Sequence, residues 1–293
     1  MKRLIISILC FAVLSLQAQH YVGVGLAADM AFALEKLSYT QPLFGGGGEL
    51  SAVYQFQYSH LLLQTGLTMG IQVPQQKVDD WSVEQPMTDY RGVAYLYKGD
   101  LTNRRESVTQ FNLSIPVMLG YGGRWVYALA GVRYHRTLTA KSRIKAQMQT
   151  AGDYYDRYYD DFQSMPDHGF FNNIPVSSSG SVTYQHQVQV LAEVGTRFAM
   201  NISSKRKNNP VGQVGLWVSY DLLDASSHLD KTLNTPLVET SFNPFMSVKM
   251  NHAHAAAGAA NSHLHHLFVG VRATLLFPVA QGLANGGRCH CVP

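Results

Sequence analysis

A group of histidines near the C-terminus has the spacing of metal ligands. Its members are His252, His254, His263, His265 and His266. Imidazoles separated by one residue on a strand project to the same side, so two such pairs could each bind zinc, copper or haem. The alternative is an ordinary polar loop, because neither a carboxylate nor a cysteine accompanies them. We treat these histidines as a possible surface metal or ligand site and expect no cofactor.

Two further groups carry side chains that could ligate or react. Cys289 and Cys291 flank a histidine, but so short a run lacks the ligands of a closed zinc site, and in an oxidising compartment a disulfide is an equal alternative. Ser219, Asp221 and His265 are the residue types of an acyl-transfer site. No motif fixes their mutual position, so the sequence predicts no catalytic residue and no enzyme.

Charged residues also recur on the polar side of several periodic segments. They are Asp29, Glu49, Arg133, Glu193, Arg197, Asp221 and Arg272. Opposite charges confined to a common interior should pair, because breaking a buried pair costs about 3–5 kcal/mol. We interpret the seven residues as an interior charge network that fills its cavity. A narrow pore or proton path is the alternative.

Eight segments position these residues, and each alternates apolar and polar side chains with the two-residue period of a β-strand. The apolar faces carry no Asp, Glu, Lys or Arg, whereas the opposite faces hold glycines, polar groups and the charges. This pattern favours strands with lipid outside and a polar interior, since a soluble barrel would show the reverse. Pro116 lacks a backbone donor, which predicts a local bulge there. The segments are 22–32, 49–58, 61–73, 110–121, 126–135, 187–198, 214–222 and 264–277.

The N-terminus has the layout of a secretory signal peptide. Lys2 and Arg3 precede an apolar run that ends near Ala18. We expect residues 1–19 to be this signal, residues 20–278 to form one barrel, and residues 279–293 to form a Gly-rich periplasmic tail. The formal charge of +4 falls to +2 without Lys2 and Arg3 (4 − 2). So small a net charge predicts no nucleic-acid binding.

The links between the segments alternate in length. Short turns follow the second, fourth and sixth segments, and outer-membrane barrels keep short turns in the periplasm and long loops outside. The sequence therefore predicts periplasmic termini and long surface loops. The expected loops are 33–46, 74–106, 140–186 and 224–262.

Several stretches resemble a known family. Leu113 to Val117 leads into a turn at Gly122 and Gly123, and two further barrel-like stretches run from Glu193 to Phe198 and from Val269 to Arg272. Together they resemble the small porin-like outer-membrane β-barrel proteins of the Bacteroidota. The resemblance implies an outer-membrane location and an antiparallel barrel, and it supplies no shared catalytic residues.

The sequence therefore predicts an all-β fold, an eight-stranded antiparallel up-and-down transmembrane barrel with long extracellular loops. Its expected role is structural, adhesive or in envelope assembly, exerted through the surface loops. Its expected partners are outer-membrane lipid and lipopolysaccharide, with possible protein partners in an envelope complex and no nucleic acid. A lipid A-modifying enzyme and a narrow diffusion channel are the alternatives.

Overall fold

The computed structural model describes most of the predicted barrel. The described residues are 19–35, 39–89, 92–154, 170–184, 186–200, 209–225, 238–242, 246–253 and 263–279. The predicted signal peptide up to residue 18 and the tail from residue 280, with Cys289 and Cys291, lie outside them, as does His254. Within these ranges no helix is long and apolar enough to cross a membrane.

Twelve strands make up the described fold. Their extended conformation follows from the two-residue alternation in the sequence, which is the side-chain period of a β-strand. They are β1 (Gln19–Glu35), β2 (Thr40–Tyr58), β3 (Leu61–Val78), β4 (Trp81–Thr88), β5 (Ala94–Gly122), β6 (Val126–Tyr154), β7 (Ile174–Val182), β8 (Gln187–Ala199), β9 (Val211–Asp221), β10 (Val238–Phe242), β11 (Met246–Met250) and β12 (Leu264–Pro278).

Eight of these strands close into a ring. The order around the ring is β1, β2, β3, β5, β6, β8, β9 and β12, and each strand is antiparallel to its neighbours. The last strand returns to the first, in register from Tyr21 opposite Pro278 to Glu35 opposite Leu264. Closure pairs the edges that an open sheet would expose. The predicted eight-stranded antiparallel up-and-down barrel is confirmed.

One end of the barrel continues into a four-stranded sheet, which we call the outer sheet. At this end, β5 extends beyond its pairing with β3 and pairs with β4. Likewise, β6 extends beyond its pairing with β8 and pairs with β7. The β10–β11 hairpin packs on the inner face of this sheet, where Val238 and Met250 join a cluster with Tyr95, Tyr97 and Phe170.

The expected long loops at 33–46, 74–106 and 140–186 are therefore wrong in large part, since strand fills much of each range. In the upper part of β5 the buried side chains are Tyr95, Tyr97 and Leu101, while Lys98 and Asp100 face outward. This is the pattern of a sheet in water, with apolar side chains inside. This part of β5 therefore lacks the outward apolar side chains that predict a strand in lipid.

The direction of the apolar face reverses along β5. On the barrel side of Phe111, the side chains of Ile115, Val117 and Leu119 are exposed on the outside, and the inward side chain of Ser114 is buried. The same reversal occurs along β6. We call the exposed apolar surface of the eight ring strands the apolar belt, which includes Leu26, Met69, Val117, Val132, Val194 and Leu216.

A β-bulge marks the upper limit of the apolar belt. Phe111 pairs with Thr139 and Asn112 with Thr137, which leaves Leu138 as an extra residue in β6. The extra residue exchanges the two faces of β6. The expected bulge at Pro116 is wrong, because the register with β6 is continuous there and the Pro116 carbonyl accepts a 2.9 Å hydrogen bond from the Thr65 hydroxyl.

Candidate functional site

The predicted interior charges all lie inside the barrel. Each of the seven residues keeps at most 7% of its surface exposed. They come from six of the ring strands, and their side chains point inward because the apolar side chains of the same strands occupy the outer face. Buried charges of this kind persist only when they are neutralised and hydrogen-bonded.

Four of the seven form one ionic network in the middle of the barrel. Glu49 accepts hydrogen bonds from Arg133 at 2.6 Å and from Arg272 at 3.0 Å. Arg272 also donates to Glu193 at 2.9 Å, and Glu193 accepts a 2.6 Å bond from the Tyr127 hydroxyl. Two carboxylates thus face two guanidinium groups, so the formal charges of the network cancel.

The ionic network crosses the lumen. Glu49 lies on β2 and Arg133 on β6, which are not neighbours in the ring. The indole of Trp217 lies against both arginines, with its ring centre 5.2 Å from the Arg133 guanidinium carbon and 5.0 Å from that of Arg272. Cation–π contacts of this geometry are favourable when they are desolvated. The side chains fill the cross-section at this level.

A second polar layer lies next to the network. Gln189 accepts a 2.6 Å hydrogen bond from Arg133 and donates one of 2.6 Å to Asp221. Asp221 pairs in turn with the imidazole of His266 at 2.8 Å. The amide of Gln189 thus links the central ionic network to the Asp221–His266 pair.

The other two predicted charges stand apart from this network. Arg197 donates a 2.9 Å hydrogen bond to Gln57 near the end of the barrel that carries the short turns. Asp29 is buried on β1 close to the network.

Two aromatic residues of the core were not among the predicted site residues. Tyr127 and Trp217 are almost fully buried on the inward faces of β6 and β9. A Cβ at Gly215 would lie 2.5 Å from the Tyr127 hydroxyl, and one at Gly270 would lie 2.8 Å from the Trp217 indole nitrogen. Inward-facing glycines beside inward-facing aromatics were the sequence signal for this packing.

The structure separates the histidines of the possible surface site. His263 is exposed and pairs with Asp224 at 3.1 Å, while His265 stacks on Tyr220. The expectation of a surface position is wrong for His252 and His266, because each is buried against a carboxylate. In the part of the chain that the structure describes, no three His, Cys, Asp or Glu residues are placed to hold a metal ion.

His252 belongs to a polar cluster at the mouth of the barrel, centred on Glu106. The Glu106 carboxylate bonds to the His252 imidazole and accepts hydrogen bonds from Ser142 at 2.5 Å and Gln76 at 2.8 Å. The Ala253 amide donates to it at 3.2 Å. This cluster therefore helps to hold the segment that follows β11, together with the Tyr39 hydroxyl, which donates a 3.1 Å hydrogen bond to the Ala253 carbonyl.

Burial and these partners act on Glu106 in opposite directions. Burial raises the pKa of its carboxyl group, but attraction to the His252 imidazole and the hydrogen bonds from His252, Ser142 and Gln76 outweigh burial and lower the pKa to about 2. A cavity of about 10 Å³, lined by Glu106, Tyr184 and both buried histidines, leaves room for roughly one water molecule beside the cluster.

The candidate acyl-transfer residues do not form a unit. The Ser219 hydroxyl accepts a 3.0 Å hydrogen bond from Arg133, and the Asp221 carboxylate binds Gln189 and His266. The His265 imidazole bonds to the backbone carbonyl of Asp221 at 3.1 Å instead of to its carboxylate. A nucleophile, a base and an orienting acid in mutual contact are what this chemistry requires.

Fold and core together define a closed eight-stranded β-barrel with an apolar outer surface and an interior filled by paired charges. No family model and no curated protein matches the chain. Among solved structures, the chain is similar to Neisserial surface protein A, with 7% identity and a TM-score of 0.33 over 87% of this chain and 96% of that one. It is also similar to Ail, the attachment invasion locus protein of Yersinia pestis, with 9% identity and a TM-score of 0.28 over 87% of this chain and 99% of that one.

Removing one arginine of the ionic network should destabilise the barrel. In Arg272→Met, Glu49 and Glu193 each lose a cation while buried, so the free energy of unfolding should fall by about 3–5 kcal/mol. The matched control is Arg143→Met on the exposed face of β6, with a change within about 0.5 kcal/mol. Urea unfolding of the chain refolded into lipid vesicles measures both, and equal small effects would contradict the interpretation of the core.

Acid should release the segment after β11 from the barrel mouth. Because the pKa of Glu106 is lowered from its ordinary 4.5 to about 2, its contribution is complete above about pH 4.5 and is lost as the pH falls towards 2. Amide exchange of residues 246–253, corrected for intrinsic rates, should accelerate across this window. Glu106→Gln should already exchange faster at pH 5 and lose the dependence on pH. A wild-type segment whose protection is constant from pH 5 to pH 2 would refute the assignment.

Proposed function

We propose that the protein is an outer-membrane β-barrel that anchors the outer sheet at the cell surface, with a structural, adhesive or envelope-assembly role and no catalysis. One observation carries the proposal, namely that the apolar face of β5 and β6 changes sides above the Phe111 row. The same continuous strands show apolar side chains outward in the barrel and inward in the outer sheet. Two different solvents around one structure, lipid and then water, account for this reversal.

The extent of the apolar belt supports the membrane assignment. Leu26 and Leu216 keep 65% and 62% of their surface exposed, and they belong to a surface that surrounds the ring. Soluble monomers rarely expose contiguous apolar patches of more than a few hundred Å². Burying such a surface in hydrocarbon contributes roughly 25 cal/mol for each Å² removed from water.

The positions of the turns support the orientation. The turns at Ser59 and at Gly123 lie at the end where β1 begins and β12 ends, because Gln19 pairs with Gln57 and Tyr21 with Pro278. The outer sheet projects from the opposite end. In outer-membrane barrels the short turns are periplasmic, so we infer that both termini face the periplasm. The likeness to Bacteroidota barrels stays a prediction from the sequence.

The core supports a binding or structural role over transport or catalysis. Ion pairs occupy the lumen between β2, β6, β8 and β12, and among the described residues the outer sheet and its hairpin offer a surface that other molecules can reach. The extracellular role therefore rests on the outer sheet, with envelope proteins or surface ligands as its partners.

Cysteine labelling on intact cells tests location and orientation together. In a chain whose native cysteines are serine, Ser179→Cys on β7 should react with a membrane-impermeant maleimide because it lies exposed on the outer sheet. Ser59→Cys, in the exposed turn between β2 and β3, is the matched control and should react only after the outer membrane is permeabilised. The reverse pattern would invert the orientation, and labelling of neither site in intact cells would reject surface display.

Planar bilayer recordings test the diffusion channel. The full chain should show no stable open channel, because the ionic network crosses the lumen. A variant with the network neutralised and shortened, E49Q, R133A, E193Q and R272A, should pass small ions and serves as the positive control. Stable openings of the unaltered chain would favour the channel over the anchored-sheet proposal.

A further inference from the structure

A basic surface lies on the outside of β3, β5 and β6, above the apolar belt. We call it the basic face, and its residues are Lys77, Arg105, Lys141, Arg143 and Lys145, all exposed. Their side chains point outward because the same strands bury Glu106, Val108, Ser142 and Ile144 on the inner face.

The strand register aligns these cations in rows. Lys77 on β3 pairs with Arg105 on β5, and Arg105 pairs with Lys145 on β6, which places three positive charges directly opposite one another across neighbouring strands. The next two rows towards the apolar belt hold Arg143 opposite Ser107 and Lys141 opposite Thr109. On β7, serines at the corresponding positions extend each row.

Within these rows no carboxylate faces outward, and the nearest exposed ones, Asp79 and Asp80, lie beyond the Lys77 row. At the outward positions of β3, β5, β6 and β7 between the Phe111 row and the Lys77 row, the described residues include neither Asp nor Glu. Like charges directly opposite on adjacent strands destabilise a sheet. The sheet therefore carries an electrostatic cost that a bound anion would remove.

The lower rows of the basic face lie nearest the height of lipid headgroups, whereas the Lys77 row lies about 20 Å above the Phe111 row along the strand. Successive outward residues on a strand are about 6.6 Å apart, so the Lys141 row follows the Phe111 row by about that distance along the strand. The headgroup layer on each side of a bilayer is roughly 5–8 Å thick. Arg136, exposed on β6 at the edge of the apolar belt, extends the positive charge down to this boundary.

From these observations we infer that the basic face binds the phosphate groups of the anionic outer-leaflet lipid, the phosphorylated glucosamine headgroup of lipopolysaccharide. The inference deepens the proposed function and rests on the orientation given there. Arginine offers bidentate hydrogen bonds to phosphate and lysine a compact point charge, and both types alternate on this surface. The acyl chains of the same lipid would lie against the apolar belt below Phe111, so one ligand contacts both surfaces.

Lipid titration of the full chain in zwitterionic micelles tests the inference. Binding of diphosphoryl lipid A should weaken in the variant R136Q, K141Q and R143Q, which removes the cations nearest the headgroups, by on the order of 100-fold, about fivefold for each cation. The control variant K98Q, R124Q and K249Q removes the same charge from other exposed sites and should bind as the unaltered chain does. Fully dephosphorylated lipid A should bind the unaltered chain as weakly as diphosphoryl lipid A binds the first variant.

Several outcomes would overturn the inference. Equal weakening by both variants would indicate a nonspecific effect of net charge, and equal binding of dephosphorylated lipid A would exclude phosphate recognition. Displacement of lipid A by equimolar inorganic phosphate or sulfated saccharide would assign the basic face to a soluble anion. These results would leave the labelling of Ser179→Cys and Ser59→Cys unaffected, so this inference and the proposed function fail separately.

Discussion

Neutralisation of buried charge in the middle of the barrel is the constraint on which the rest of the structure depends. Glu49, Arg133, Glu193 and Arg272 lie where water is excluded, and an isolated charge in such a place would be prohibitively costly. Each residue therefore needs partners from strands across the ring, which is possible only if all eight strands close in one register. The glycines beside Trp217 and Tyr127 follow from the same requirement, because the arginines and the aromatics compete for one narrow cross-section.

In the proposed location, a second constraint comes from outside the barrel, where the surrounding solvent changes from lipid to water along the strands. A strand in lipid and a strand in water need opposite faces to be apolar, yet β5 and β6 run through both environments without a break. On β6 the extra residue Leu138 exchanges the two faces at the boundary. On β5 a second irregularity does so higher up, between Thr102 and Arg105, where Asn103 adopts a left-handed φ of 51°.

The sequence predicted the ring well, because strands in lipid must be chemically two-faced and this leaves a strong period of two. Seven inward charges, including Arg133 and Arg272, could be assigned for the same reason. The outer sheet was not predicted, because its apolar side chains face inward. Its strands therefore lack the outward apolar side chains that identified the strands of the ring. The pairings of His252 with Glu106 and of His266 with Asp221 join residues far apart in the chain. No local spacing encodes such pairs, so only the tertiary structure could bring them together.

The continuity of β5 and β6 through the bulge has a mechanical consequence. Because β5 and β6 run from the barrel into the outer sheet without a linker, the sheet has a fixed height and tilt relative to the barrel and cannot swivel about a hinge. A pull along the outer sheet would be transmitted through β5 and β6 into the barrel, where β3 and β8 hold these two strands. The hydrogen bonds of the β3–β5 and β6–β8 ladders would then be loaded together in shear instead of being opened one after another, which suits an attachment point that has to bear force.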